Sequence, residues 1–236
     1  MNKKEALLCA IIAQAAYTNT CNEKDFRITA KFENKGTDTQ GLFGTAYDNT
    51  FVVAFRGSEE TGLADWITDA KIIQALFPYG NNKFTDALTH RGFNEAYQSV
   101  RDSVIEAVKN SPHKRVICTG HSLGGALAVL CALDIQCNLP DKTITCYTYG
   151  APKVGNDKFA AACQQQIPQL FRFVNGADIV PNIPPGTYQH AGELFQFGEF
   201  KEASFSLSEI VSKLVDKMED HLPHNYIKAM RDFADL

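Results

Sequence analysis

Arg115-Val116-Ile117-Cys118-Thr119 is apolar enough for a buried strand, and Gly125-Ala126-Leu127-Ala128-Val129-Leu130 suits a closely packed helix. Between them stands Gly120-His121-Ser122-Leu123-Gly124. A strand that enters a helix through so short a turn must bend sharply at the middle residue. The flanking glycines let the strand and helix close up with no Cβ between them. The turn also lifts the Ser122 hydroxyl clear of the sheet, toward the free N–H groups and positive dipole end of the new helix. This one segment commits the chain to strands followed by helices, with a serine displayed at a point where negative charge is favoured.

The surrounding sequence agrees. Arg27 to Phe32, Leu42 to Tyr47, Phe51 to Phe55, Thr143 to Tyr149 and Leu170 to Val174 read as strands, with a turn at Asp48-Asn49. Phe93, Ala96, Tyr97, Val100, Val104, Ala107 and Val108 recur at helical spacing until Ser111-Pro112. A short helix is expected from Asn156 to Gln166. A stripe from Leu207 to Met218, opened by a Ser206/Glu209 capping box, predicts another, and Tyr226 to Phe233 a last one. Strands alternating with helices predict an α/β fold: a mainly parallel central sheet covered by helices on both faces. At 236 residues, with 44% hydrophobic and 21% charged residues, the chain fits a single domain over 1–236 with its own core.

Charge and cysteine usage exclude several classes. A net charge of −4 argues against a nucleic-acid or polybasic membrane partner, and no apolar stretch is long enough to span a bilayer. Seven cysteines is an odd number with no metal-ligand spacing, and Cys118, Cys131 and Cys146 fall in expected core elements. A mostly reduced protein is expected rather than a disulfide framework. Met1 to Ala13 has some character of a secretion signal, but Glu5 and Gln14 interrupt it. An amphipathic helix ending near Tyr17 is the preferred reading, with a cytoplasmic location; a secreted protein is the alternative.

Serine attacks well only when a base takes its proton, and histidine is the residue whose pKa suits that task. A buried carboxylate then orients the imidazole and stabilises its cation. Asp178, in Asn175-Gly176-Ala177-Asp178-Ile179-Val180-Pro181, follows an expected strand and is the choice for the acid. Asp134 and Asp157 fall on expected helices, where surface roles are anticipated, and Asp141 in a turn beside Pro140. For the base, spacing leaves His221 and His224 both open; His90, His113, His121 and His190 fit structural roles. The oxyanion needs two donors. The Leu123 N–H is one, and Arg56-Gly57-Ser58, directly after a strand, offers Ser58 as the other. Removing one such donor costs about 3–4 kcal/mol of transition-state stabilisation. No metal or organic cofactor is required.

Downstream of Ser58, Leu63, Trp66, Ile67 and Ala70 share one helical face. A short amphipathic element at 59–70, beside the oxyanion loop, suits either a lid over an apolar pocket or a plain surface helix.

Taken together these segments resemble the class 3 lipase family of α/β-hydrolases, which includes secreted fungal triacylglycerol lipases. The resemblance is carried by Phe55-Arg56-Gly57-Ser58, Asp65-Trp66, His90-Arg91-Gly92-Phe93 and Gly120 to Ala128. It continues through Tyr147 to Asn156, Arg172 to Pro181 and Asp220-His221. It implies Ser122 as nucleophile, Asp178 as acid, Ser58 and Leu123 as oxyanion donors, and a lid within Glu59–Asp69. It favours His221 over His224, because Asp220-His221 with Tyr226 matches the family's aspartate–histidine pair and following tyrosine. Tyr188, His190 and Glu193 look like a structural Tyr-x-His-x-Gly-x-Glu stretch. The implied activity is hydrolysis of acylglycerols, with a lipid or small ester as partner and transient contact with lipid surfaces. The rivals are a phospholipase A1 or galactolipase, a feruloyl-type esterase, and a catalytically silent lipase-like binding module. Two features depart from the secreted fungal members: neither leader nor paired cysteines are clear, and the interval from Asp178 to His221 is short.

Overall fold

The computed structural model of the chain describes residues 1–47, 49–58, 73–80, 83–198 and 219–234. Among them, seven strands form one sheet in the order β1-β2-β3-β6-β7-β8-β9. These are β1 (Phe26–Asn34), β2 (Thr39–Ala46), β3 (Thr50–Phe55), β6 (Arg115–His121), β7 (Thr143–Tyr149), β8 (Leu170–Asn175) and β9 (Glu193–Phe197). β1, β2 and β3 form an antiparallel meander, and every pairing from β3 to β9 is parallel. Two short strands, β4 (Gln74–Leu76) and β5 (Leu88–His90), pair as a separate ribbon. The helices are α1 (Lys3–Thr18), α2 (Arg91–Asn110), α3 (Leu123–Asn138), α4 (Asp157–Gln166) and α5 (Pro223–Ala234). This is the α/β-hydrolase arrangement expected from the sequence.

Strand periodicity divides the core in two. Val53, Phe55, Val116 and Cys118 face one side, where α2, α3 and α4 contribute Val100, Leu127 and Phe159. Val52, Ala54, Ile117 and Tyr149 face the other, where α1 and α5 contribute Ile12, Ala13, Tyr226 and Met230. Central strands buried on both faces read as continuous apolar runs, which is why β3, β6 and β7 stand out in the sequence.

Three features differ from expectation. α1 is not a one-faced amphipathic helix: Glu5 to Ala10, Ile12, Ala13, Ala15 and Ala16 are all buried, because the sheet and α5 cover it from two sides. Its buried Glu5 is neutralised by Arg115 at 2.5 Å and accepts from the Tyr147 hydroxyl at 2.7 Å. Asp134 is not a surface residue. It is fully buried on α3, where its carboxylate takes two bonds from Arg101 and one each from Tyr97 and Asn138. Finally β4, β5 and β9 were not expected as strands. The first two are three residues each, too short to show a period, and β9 is an edge strand of mixed exposure. The stripe from Leu207 to Met218 and the Asp48 turn position lie outside the described residues.

The seven thiols are free: Cys9, Cys118, Cys131, Cys137, Cys146 and Cys163 are buried and Cys21 is half-buried. Among the described residues no helix is long and apolar enough to cross a membrane.

Candidate active site

Four neighbouring parallel strands, β3, β6, β7 and β8, end at the same edge of the sheet. The residues just past those ends are Ser58, Ser122, Gly150 and the loop carrying Asp178. A doubly covered parallel sheet collects its functional residues there because the strand ends are the one part of each layer left free to vary.

Ser122 has φ 57° and ψ −131°, a backbone region that side-chain-bearing residues rarely occupy. Surrounding contacts impose it. The Ser122 N–H is bound to the Tyr149 carbonyl at 2.9 Å, while its own carbonyl already receives Gly125 N–H at 2.9 Å in the first turn of α3. The flanking glycines are obligatory. A Cβ on Gly120 would lie 2.3 Å from the Gly124 backbone, and one on Gly124 2.3 Å from the Phe55 carbonyl oxygen. Leu123 opens α3, so its N–H belongs to the first turn, which has no intrahelical acceptor. Arg56-Gly57-Ser58 lies against the elbow: a Cβ on Gly57 would be 2.6 Å from the His121 carbonyl oxygen and 3.2 Å from Ser122 Cβ.

Asp178 and His221, 43 residues apart in the chain, meet at this edge. His221 Nδ1 is 2.8 Å from Asp178 Oδ2, and the two residues are 4% and 1% exposed. A second donor, the Tyr226 hydroxyl, reaches the same oxygen at 2.5 Å, and Val180 N–H reaches Oδ1 at 2.9 Å. Three donors on one carboxylate offset the cost of burying it. Burial and the adjoining Asp178 charge push the Tyr226 phenol well above its ordinary pKa, so it stays a donor. The Asp220 carboxylate anchors the same turn by accepting from Ala177 N–H at 2.9 Å.

Gly150 joins this pair to the serine. It has φ +59°, and a Cβ there would lie 2.7 Å from Asp178 Oδ2 and 3.1 Å from His221 Cε1. The imidazole thus lies over the residue after Tyr149, whose carbonyl holds Ser122 N–H. The His121 ring packs on the His221 ring with centroids 4.5 Å apart. Ser122 Oγ and His221 Nε2 are both buried and make no hydrogen bond among the described residues. They are the two atoms that a serine–histidine proton transfer would use.

The remaining histidines are elsewhere or otherwise engaged. His224 is exposed at the start of α5, lining a surface groove with Ile11 and Ile227. His190 Nε2 is 2.6 Å from the Pro181 carbonyl oxygen, and burial lowers its pKa to about 3. His90 is lowered by burial to about 4. Leu63, Trp66 and Ile67, and with them the expected lid, lie outside the described residues. The part played by Tyr226 was not read from the sequence beyond its place in a pattern. Its place five residues after His221, on the helix that follows, was the available signal.

Fold and site together define an α/β-hydrolase with a serine at its elbow. The sequence pattern described as Lipase (class 3) matches residues 52–188, more than half of the chain, and the chain belongs to that family. It is 35% identical over 180 residues to a lipase of Rhizomucor miehei, covering 72% of this chain and 48% of that one. It is also 35% identical over 156 residues to a secreted mono- and diacylglycerol lipase of Malassezia globosa, covering 60% and 49%. The chain therefore spans about half the length of these two relatives. A solved triacylglycerol lipase, described as having a serine protease triad at its catalytic centre, superposes with a TM-score of 0.72. It shares 28% identity over 82% of this chain and 79% of the other.

Proposed function

We propose that the protein is a serine carboxylester hydrolase that releases fatty acids from acylglycerols, with Ser122 as nucleophile, His221 as base and Asp178 as its orienting acid. One observation carries this reading: the buried Asp178–His221 hydrogen bond at the strand ends beside the strained Ser122 elbow. His221 Nε2 takes the Ser122 hydroxyl proton as Oγ bonds to the ester carbonyl carbon. The carbonyl oxygen becomes an anion facing the Leu123 and Ser58 N–H groups. Collapse breaks the ester C–O bond, and the leaving alcohol takes the proton from His221. Water then attacks the acyl-enzyme while His221 takes its proton. The C–Oγ bond breaks, the proton returns to Ser122 and the fatty acid leaves. Asp178 stays ionised throughout.

The acylglycerol substrate is supported by the similarity to a mono- and diacylglycerol lipase and to a triacylglycerol lipase. The secreted relative supports export, the alternative reading, over the cytoplasmic location preferred from the sequence. Segment 59–70 as a lid with Leu63, Trp66 and Ile67 against lipid, and one domain over 1–236, complete the proposal.

The test is labelling by a serine-reactive phosphonate together with a hydrolysis panel of tributyrin, a long-chain triglyceride, a phospholipid and a feruloyl ester. Labelling at Ser122 and preference for the glycerides are expected. No labelling would make the chain a binding module; preference for the phospholipid or the feruloyl ester would overturn the substrate class.

A further inference from the structure

One side chain of α1 reaches the site. The phenol oxygen of Tyr17, in the last turn of that helix, is 2.9 Å from His121 Nδ1. It also lies against the Gly57 amide, filling the space a side chain at 57 would need: a Cβ there would be 2.2 Å from it. The other ring nitrogen of His121, Nε2, is 2.5 Å from the main-chain oxygen of His221. A carbonyl only accepts, so Nε2 carries a hydrogen. Burial, reinforced by the neighbouring His221, holds the His121 pKa well below its ordinary value, and the ring is neutral. Its single hydrogen is thus on Nε2, Nδ1 is bare, and the Tyr17 hydroxyl donates to it. The chain of bonds has one direction, from phenol through imidazole to the His221 carbonyl.

We propose that Tyr17 and His121 are positioning residues: their hydrogen-bond chain fixes the main chain of His221 against the elbow and the oxyanion loop. This rests on reading Ser122, Asp178 and His221 as the reacting set. Asp178 holds the His221 ring at Nδ1, and the His121 ring packs on it. The bond to the His221 carbonyl adds a hold on the main chain that carries the ring, so that Nε2 keeps its place relative to Ser122. Misplacing a reacting group by about 1 Å costs on the order of a hundredfold in rate. Tyr17 ties three segments together at one oxygen: the loop bearing Ser58, the residue before the nucleophile and, through it, the base.

The experiment is a double-mutant cycle on the full chain with soluble p-nitrophenyl butyrate, reading kcat, KM and thermal midpoint for wild type, Y17F, H121L and Y17F/H121L. H121Q stands beside H121L, because its amide can still donate to the His221 carbonyl. The expected Y17F effect is about a tenfold fall in kcat, with KM unchanged and a cooperative melt retained. On H121L the same substitution should cost nothing further, and H121Q should exceed H121L. Should H121L fail to melt cooperatively, H121A and Y17F/H121A close the cycle. A wild-type kcat in Y17F, or an undiminished Tyr17 effect on the His121 variant that lacks both bonds, would overturn the proposal. Phosphonate labelling separates the failures: unlabelled wild type sinks the reacting set itself, whereas labelled wild type with a silent Y17F sinks only the tether.

Discussion

At the scale of single residues, the site pairs strain with satisfaction. Ser122 sits where glycine would be relaxed, a conformation costing on the order of 1–3 kcal/mol that the surrounding bonds must offset. S122A should lose nearly all turnover and keep its melting temperature. S122G should be equally inactive yet more stable than S122A in urea, by about 1 kcal/mol or more; equal midpoints would contradict the strain. His221 is buried on Asp178 whereas His224 is exposed on α5. H221A should therefore lower kcat by about 1,000-fold or more and H224A by less than about twofold, as for an ordinary surface change. Equal or reversed losses in the two would overturn the assignment of the base to His221.

The elements show what the sequence can and cannot disclose. β3, β6, β7 and β8 were readable because strands buried on both faces need unbroken apolar runs, and the elbow because its two glycines have no sterically permitted substitute. Ser122, Asp178 and the His221/His224 pair followed from chain order. The choice between the two histidines did not, since which one folds inward is decided by packing of α5 against α1 and β8. Asp134 was misjudged for the same reason: helical position alone does not say that Tyr97 and Arg101 will close over it. α1 hid its role because a helix buried on several sides has no polar stripe to betray the direction of the core. The strand–helix contact at the elbow gives the prediction at this scale. G124A forces a Cβ into the Phe55 carbonyl, and the forced separation of β3 from α3 should cost about 3 kcal/mol, like other severe overpacking. A lowered thermal midpoint checks it, and a midpoint within a degree of wild type would count against the contact.

For the molecule as a whole, the buried histidines set the response to acid. His90 and His190 are held neutral in the fold, at about 4 and about 3, against about 6.5 in an unfolded chain. Between pH 6.5 and 4 the unfolded state therefore binds protons that the native state refuses, and stability falls as pH falls. Each group contributes a slope approaching about 1.4 kcal/mol per pH unit. Urea midpoints at pH 7, 6 and 5 should decline, and H190Q should flatten the decline; a constant midpoint across that range would refute it. The cysteines carry a separate consequence. A maleimide dye offered to the native molecule finds one handle, at Cys21 on the loop between α1 and β1, while six others are sealed in the interior. Those six surface only as the layers come apart, so the protein carries its own counter for unfolding, legible in the stoichiometry of bound dye.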